Sequence, residues 1–216
     1  MNISGILRFF HTSIRISLYL LCLLMMMSCA ASLHPVTDST ILLERKGFTL
    51  LPPSGNNWLI GPSGPYGAQF AKQIVSSQGS KSTLVVLVYA GRFEGNVYDL
   101  KSDSGIKAAA EYVVTGADPS RFKVINATYS PIYKYQGTDC IKYEYTAEEH
   151  NNPIHRGNVL LLDVRGSLCR HPSAPDFSMN TAFSERRLIG MESLVDDHIR
   201  EEVNHCLNSV HFTQLQ

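Results

Sequence analysis

Residues 83–89, Thr-Leu-Val-Val-Leu-Val-Tyr (TLVVLVY), carry the strongest structural signal in the chain. Apolar residues occupy both the odd and the even positions, whereas a strand with one face in water alternates apolar and polar side chains. The segment therefore predicts a central strand of a sheet that is covered on both faces. Residues 159–162, VLLL, repeat this pattern inside a predicted strand over residues 157–168.

A predicted hairpin lies between these two strands in the sequence. Residues 122–135 and 139–148 form its strands. Near the turn the odd-numbered side chains are mostly aromatic or apolar and the even-numbered ones are charged, which is typical of a pair of strands with one face buried. The aromatic side chains on this face would form a platform for a peptide, a glycan or a protein partner. The alternative is that these rings pack beneath a helix. The platform residues are Tyr133, Tyr135, Tyr143 and Tyr145.

Two segments show helical periodicity. Residues 103–115, DSGIKAAAEYVVT, predict a helix with Asp103 or Ser104 as its N-cap and Gly116 as its end. In residues 191–207 apolar side chains recur at helical spacing, and we expect the acidic residues of this segment to lie mostly on the solvent side.

Antiparallel strands interrupted by two helices predict an α+β fold, a twisted and mostly antiparallel sheet with helices packed against it. Residues 45–216 are enough for a single domain, and residues 29–44 lack periodicity and predict a tether. The element order, with an initial hairpin around Phe48 and Trp58, is similar to that of PsbP-like domains. This resemblance implies a protein that binds or assembles other components rather than a catalyst.

The first 28 residues have the composition of a secretory leader. Arg8 and Arg15 precede an uncharged run of 12 residues, 16–27 (ISLYLLCLLMMM). A membrane-spanning helix needs about 20 apolar residues, whereas the run has the length of a leader's central segment. Two alternatives remain: an ordinary leader peptidase could cut after Ala30 or Ala31, or the run could be an uncleaved anchor.

The last two residues of the run and the two that follow, Met26-Met27-Ser28-Cys29, resemble the lipobox of bacterial lipoproteins. The resemblance implies that residues 1–28 are a signal peptide, that Cys29 carries palmitate-like acyl chains, and that the protein is held to a membrane by them. Because Ala30 rather than Asp follows the cysteine, the resemblance also implies the outer membrane, with the protein facing the periplasm.

The charge balance argues against nucleic-acid partners. Residues 1–28 contain two of the 19 basic side chains and none of the 19 acidic ones. The mature chain would therefore have 17 basic and 19 acidic groups, a net charge near −2. That balance gives no electrostatic reason to expect DNA or RNA as a partner.

Three cysteines remain in the mature chain beyond Cys29, in a compartment that allows disulfides. We favour a bridge between Cys169 and Cys206, because a strand ends at the first and the second lies on the apolar stripe of the predicted helix. A bridge from Cys140 to either of the other two, or no bridge at all, remains open.

Residues 168–172, LCRHP, form the most distinctive local string. Cys169 and His171 could form a thiolate–imidazole pair, or half of a metal site that His205 and Cys206 complete. The spacing matches no standard metal motif, so we expect a structural role and predict neither a metal nor a cofactor. Residues 184–187, SERR, are either an anion-binding arginine pair or, as we favour, an exposed strand face.

These observations favour a lipid-anchored envelope protein that binds or assembles another envelope protein without catalysis. The alternative is an envelope hydrolase or thiol enzyme that uses Cys169 and His171. The sequence contains no Gly-x-Ser-x-Gly motif and no other recognisable catalytic constellation, which leaves the question of an enzymatic activity open.

Overall fold

A computed structural model of the chain describes residues 33–93 and 98–215. Of these residues, 47% lie in strands and 14% in helices. The two helices in this part of the chain are α1 (Asp103–Thr115) and α2 (Asp197–Asn208). The strands are β1 (His34–Pro35), β2 (Leu43–Arg45), β3 (Phe48–Leu50), β4 (Leu59–Gly61), β5 (Gly67–Val75), β6 (Lys81–Arg92), β7 (Phe122–Tyr129), β8 (Tyr133–Tyr135), β9 (Thr138–Glu149), β10 (Leu160–His171), β11 (Ala174–Leu188) and β12 (His211–Phe212).

The predicted α+β class is wrong, because the described chain is mostly antiparallel β-structure with few helical residues. Part of the reason lies in the closing helix. We expected it over residues 191–207, but α2 begins only at Asp197, and the side chain of Asp196 accepts a hydrogen bond from the backbone N–H of Ile199 as its N-cap. The preceding residues lie outside the helix, where Glu185 accepts hydrogen bonds from Ser193 Oγ and from the backbone N–H of Leu194.

Strand β11 also adds to the strand content, because it is 15 residues long. It begins at Ala174 and pairs with β6 from Phe177 onward. By contrast, α1 covers the same residues as the predicted helix, although Ser102 rather than Asp103 or Ser104 is its N-cap.

The main sheet has nine strands in the order β1-β4-β5-β6-β11-β10-β9-β7, and β8 pairs with β9 on the same side as β7, across β9 from β10. All of its pairings are antiparallel. A second, three-stranded sheet has the order β12-β3-β2. Strand β6, which contains the TLVVLVY segment, lies inside the main sheet between β5 and β11.

The two helices pack on opposite faces of the main sheet and over different strands. One core contains Val86 and Val88 of β6 together with Val203 of α2, and the small sheet packs into the same core. The other core contains Leu162 of β10 together with Ala109 of α1. The side chains of β6 that point to the α1 face are only half-buried, so this strand is fully covered on the α2 face alone.

The folded body begins earlier than residue 45. Strand β1 pairs with β4 through His34–Ile60 and Pro35–Leu59, and the N–H of Val36 donates to the carbonyl oxygen of Trp58 at 2.8 Å. Residues in the expected tether therefore already contact the body. The predicted signal peptide, residues 1–28, and the predicted acylation site Cys29 lie outside the described residues.

A disulfide joins Cys140 and Cys169, so the expected bridge between Cys169 and Cys206 is wrong. The register of β9 and β10 places Cys140 directly opposite Cys169, with their Cα atoms 4.0 Å apart. Cys206 is a free thiol on the buried face of α2, and burial raises its pKa to about 12. The helical stripe correctly indicated that Cys206 is buried, but burial alone does not determine its partner.

The disulfide and the free thiol lead to a first prediction. Peptide mapping under non-reducing conditions should recover Cys140 linked to Cys169, and the Cys140→Ala/Cys169→Ala double variant should lose about 3–4 kcal/mol of unfolding free energy because the linked loop is freed in the unfolded chain. In the native protein at pH 8, Cys206 should be alkylated on the order of 1000-fold more slowly than in urea. Linked peptides that contain Cys206 would contradict this pairing.

Candidate functional site

A groove lies between α2 and the main sheet, on the part of the α2 face formed by β11, β10, β9 and β7. It consists of two adjoining cavities of about 580 and 300 Å³, which share Arg165 of β10 and Asn204 and Leu207 of α2. The groove exists because α2 covers the apolar strands β5 and β6 and leaves the neighbouring strands open. We call it the α2 groove.

The walls and the floor of the α2 groove differ in chemistry. Its apolar wall is formed by Val195, Val203 and Leu207, and Phe183 of β11 adds a ring. Its floor is polar because the residues of β10 that point to this face, Asp163, Arg165 and Ser167, alternate with the apolar residues that point to α1. Further polar side chains come from the neighbouring strands and are Asn126, Thr128, Glu144, Thr146 and Thr181.

Two floor charges are free to bind a ligand. Arg165 and Glu144 are opposite each other on β10 and β9, but their charged atoms are 3.9 Å apart and both side chains are more than half exposed. An exposed pair at this distance contributes little stability, so either group can exchange its partner for a ligand. Asp163 is not free, because it accepts hydrogen bonds from Thr146 Oγ1 at 2.7 Å and from Arg187 Nη1 at 2.5 Å.

Helix α2 is held in place by a buried carboxylate. Glu202 is 3% exposed, and its Oε2 accepts hydrogen bonds from Trp58 Nε1 at 2.9 Å and from Lys72 Nζ at 2.5 Å. Gly55, which has a φ of +85°, lies so close to Glu202 that a Cβ there would overlap the carboxylate. The acids of this segment lie mostly in solvent, as we expected, and Glu202 is the exception. The missed signal is that Glu202 falls on the same helical stripe as Ile199 and Cys206.

The arginines of residues 184–187 are both used inside the protein. Arg186 forms an ion pair with Glu149, which is fully buried and also contacts Arg121. Arg187 forms ion pairs with Glu185 and with Asp163. Neither an anion-binding pair nor an exposed strand face describes these residues, because their charges neutralise buried carboxylates. Glu185 in turn holds the segment before α2, which forms part of the groove wall.

The structure does not bring the four predicted platform tyrosines together. Tyr133 and Tyr135 line the smaller cavity of the α2 groove, where Tyr133 Oη is 2.6 Å from Ser167 Oγ and Tyr135 Oη donates to the carbonyl oxygen of Val210. Tyr143 and Tyr145 stack against each other on the α1 face, and burial raises the pKa of both.

The reason for this division is the hairpin register. Tyr133 pairs with Cys140 and Tyr135 with Thr138, so each odd-numbered residue of β8 faces an even-numbered residue of β9. Directly paired residues point to the same face of a sheet. Odd-numbered residues of β8 and odd-numbered residues of β9 therefore point to opposite faces of the sheet. The sequence pattern alone could not reveal this, because it does not contain the register.

Cys169 and His171 do not form a thiolate–imidazole pair. The sulfur of Cys169 is bonded to Cys140, and the buried His171 ring lies between the carbonyl oxygen of Gly47, 2.8 Å from Nε2, and Ser173 Oγ, 3.1 Å from Nδ1. Within residues 33–93 and 98–215, no group of three His, Cys, Asp or Glu side chains is arranged to hold a metal ion.

Comparison with known proteins gives the site no precedent: no family model, no curated protein and no solved structure matches the chain. Over its described part, the chain has no helix that is both long and apolar enough to cross a membrane. The α2 groove must therefore be interpreted from its own chemistry.

The buried pair that holds α2 gives a second prediction. Glu202→Ala should cost about 3–5 kcal/mol of unfolding free energy, because it leaves the Lys72 ammonium buried without its partner. The double variant Lys72→Met/Glu202→Leu should recover most of this loss, since it removes both charges. Urea unfolding followed by circular dichroism measures both. Glu201→Ala, on the exposed neighbour, should change stability by less than about 0.5 kcal/mol. Equal effects at 201 and 202 would rule out this role for the pair.

Proposed function

We propose that this protein is a lipid-anchored component of a bacterial envelope that binds an extended segment of another envelope protein in its α2 groove, without catalysis. The proposal has two parts, an anchor and a binding site. The anchor is supported by the lipobox-like residues 26–29 at the end of an apolar run, and by the Ala30 that follows them. In a bacterium with two membranes, this sequence favours the outer membrane facing the periplasm.

The observation that carries the binding function is the amphipathic lining of the α2 groove. An extended peptide presents apolar side chains on one side and backbone amide groups along its length. The wall residues Val203 and Leu207 offer contacts for the apolar side chains, and the floor residues Arg165 and Glu144 offer hydrogen-bond partners for the backbone. The floor crosses four strands, which corresponds to about 14 Å.

The size of the groove agrees with this partner. The combined volume of the two cavities falls in the range of specific ligand sites, which bind through an apolar surface and a few well-placed polar groups.

The thiol-enzyme alternative needs a free thiolate at Cys169, which the disulfide removes.

The anchor can be tested directly. Cells that express the full chain should incorporate radiolabelled palmitate into the protein, and Cys29→Ala should abolish the label because no thiol remains for the diacylglycerol group. Cys206→Ala should keep the label and controls for the loss of a cysteine as such. A palmitate label that persists in Cys29→Ala would contradict acylation at this residue, as would intact mass spectrometry that finds the mature chain beginning after Ala30 or Ala31.

The groove can be tested by photo-crosslinking in intact cells. A benzoyl-phenylalanine at position 165, on the groove floor, should crosslink a defined envelope protein, which mass spectrometry of the adduct identifies together with the contacted segment. Asn204→Trp should reduce this adduct on the order of tenfold or more, because the indole fills the groove that Asn204 lines.

Glu201→Trp is the matched control, since it places the same ring on an exposed position of α2 outside the groove. It should leave the crosslink unchanged. If both tryptophan variants reduce the adduct equally, or if position 165 yields no adduct while an exposed residue such as Arg156 does, then the groove is not the binding site.

A further inference from the structure

The first described residues lie at one end of the main sheet. His34 pairs with Ile60, and Leu33 lies against Gly61, the last residue of β4. Residues 62–66 then connect β4 to β5 at this same end, where Gly67 pairs with Tyr89. The strand β6 continues from there to Arg92, which pairs with Phe177 of β11. We call this the N-terminal end of the sheet.

A row of cations and aromatic rings follows this end. Lys46 Nζ lies 5.7 Å from the centre of the Tyr66 ring, and the Tyr66 and Phe177 rings have their centres 6.4 Å apart. Arg92 Cζ lies 4.8 Å from the centre of the Phe177 ring. Lys46 and Arg92 are exposed and the two rings are half-buried. The row therefore presents two cations at the surface above two aromatic rings.

The chain between the acylation site and the body is short. Only residues 30–32 separate Cys29 from Leu33, so even a fully extended chain spans at most about 14 Å between these two Cα atoms. Neighbouring strands are about 4.8 Å apart, which places β5 about 10 Å and β11 about 19 Å from β1. Lipid attached at Cys29 would therefore hold the row close to the membrane surface.

We infer that the N-terminal end of the sheet rests on the phospholipid bilayer, with Lys46 and Arg92 at the headgroup phosphates and the Tyr66 and Phe177 rings at the level of the headgroups. This inference rests on the lipid anchor proposed above, and it adds the orientation of the body. Tyrosine and other aromatic rings favour the membrane–water interface, and Lys and Arg bind phosphate by charge-assisted hydrogen bonds. Leu33, which is 51% exposed, would reach the same interface.

The charges at this end favour an anionic surface. Arg92 pairs with Asp176 at 2.9 Å, and Glu44 lies two residues before Lys46 in the chain. With Arg45, whose Nε donates to the carbonyl oxygen of Gly67, these groups comprise three cations and two anions, a net charge of +1. The mature chain as a whole would have 17 basic and 19 acidic groups, so these five groups together are opposite in sign to the whole chain.

The opposite end of the sheet provides a demanding control. Residues 150–159 connect β9 and β10 there, next to the Leu160–Glu149 pair, and Ile154 in this loop is 84% exposed. Leu168 of β10 lies toward the N-terminal end, eight residues and about 27 Å along the strand from Leu160. If exposure of an apolar side chain alone decided membrane contact, then Ile154 would be the first residue to touch lipid.

The test uses the acylated full chain in vesicles of phosphatidylethanolamine and phosphatidylglycerol, with and without bromine atoms near the carbonyl ends of the acyl chains. Tyr66→Trp and Ile154→Trp place a fluorescent ring at the two ends, and the buried Trp58 gives a common background that the unsubstituted protein measures. We expect bromine to lower the emission of Tyr66→Trp by about twofold and to leave Ile154→Trp near its unbrominated value.

Equal quenching at the two positions, or stronger quenching of Ile154→Trp, would overturn the orientation while leaving the anchor intact, provided that the protein floats with the vesicles. A protein that does not float and carries no acyl chain would instead refute the anchor, and the orientation would fall with it. Lys46→Glu/Arg92→Glu, added to Tyr66→Trp, should weaken the quenching in vesicles that contain phosphatidylglycerol. Unchanged quenching in that variant would overturn the role of the two cations.

Discussion

The contact of Glu202 with Lys72 and Trp58 determines where α2 lies, and the groove depends on the position of that helix. Removing a carboxylate and an ammonium from water costs several kcal/mol for each ion. The cost is offset here because the two charges meet and because the indole N–H supplies a second donor to the same oxygen. An arrangement of this kind tolerates little displacement, so the helix that forms the groove wall has one defined position on the sheet.

The main sheet is divided between two kinds of surface. On the α2 face, β5 and β6 are covered and mostly apolar, with Lys72 as the charged exception, whereas β10 and β9 carry polar side chains and remain open. On the α1 face the division is reversed, because α1 packs on β9 and β10 and leaves the outer side of β6 half-buried. Each helix thus covers about half of one face, and the uncovered polar half of the α2 face becomes the floor of the groove.

The sequence predicted the parts of this architecture that depend on local pattern. The central position of residues 83–89, the extent of α1 and the burial of Cys206 all follow from periodicity within one element. It failed where the answer depended on how two elements pair. The partner of Cys169 and the face of Tyr133 are fixed by register, and no single strand contains that information. The partner of Glu202 could not be predicted for a related reason, since Lys72 lies on a strand far away in the chain.

The bond between Cys140 and Cys169 fixes which residues of β10 point into the groove. Side chains alternate along β10, so sliding this strand by one position against β9 would exchange Asp163 and Arg165 for Leu162 and Val164 in the groove. A covalent link between two directly opposed residues forbids that error. Formation of the disulfide therefore selects the correct register. A chain in which β9 and β10 pair out of register holds Cys140 and Cys169 out of alignment and cannot easily form the bond, and a chain that has formed it keeps the polar residues of β10 in the groove floor.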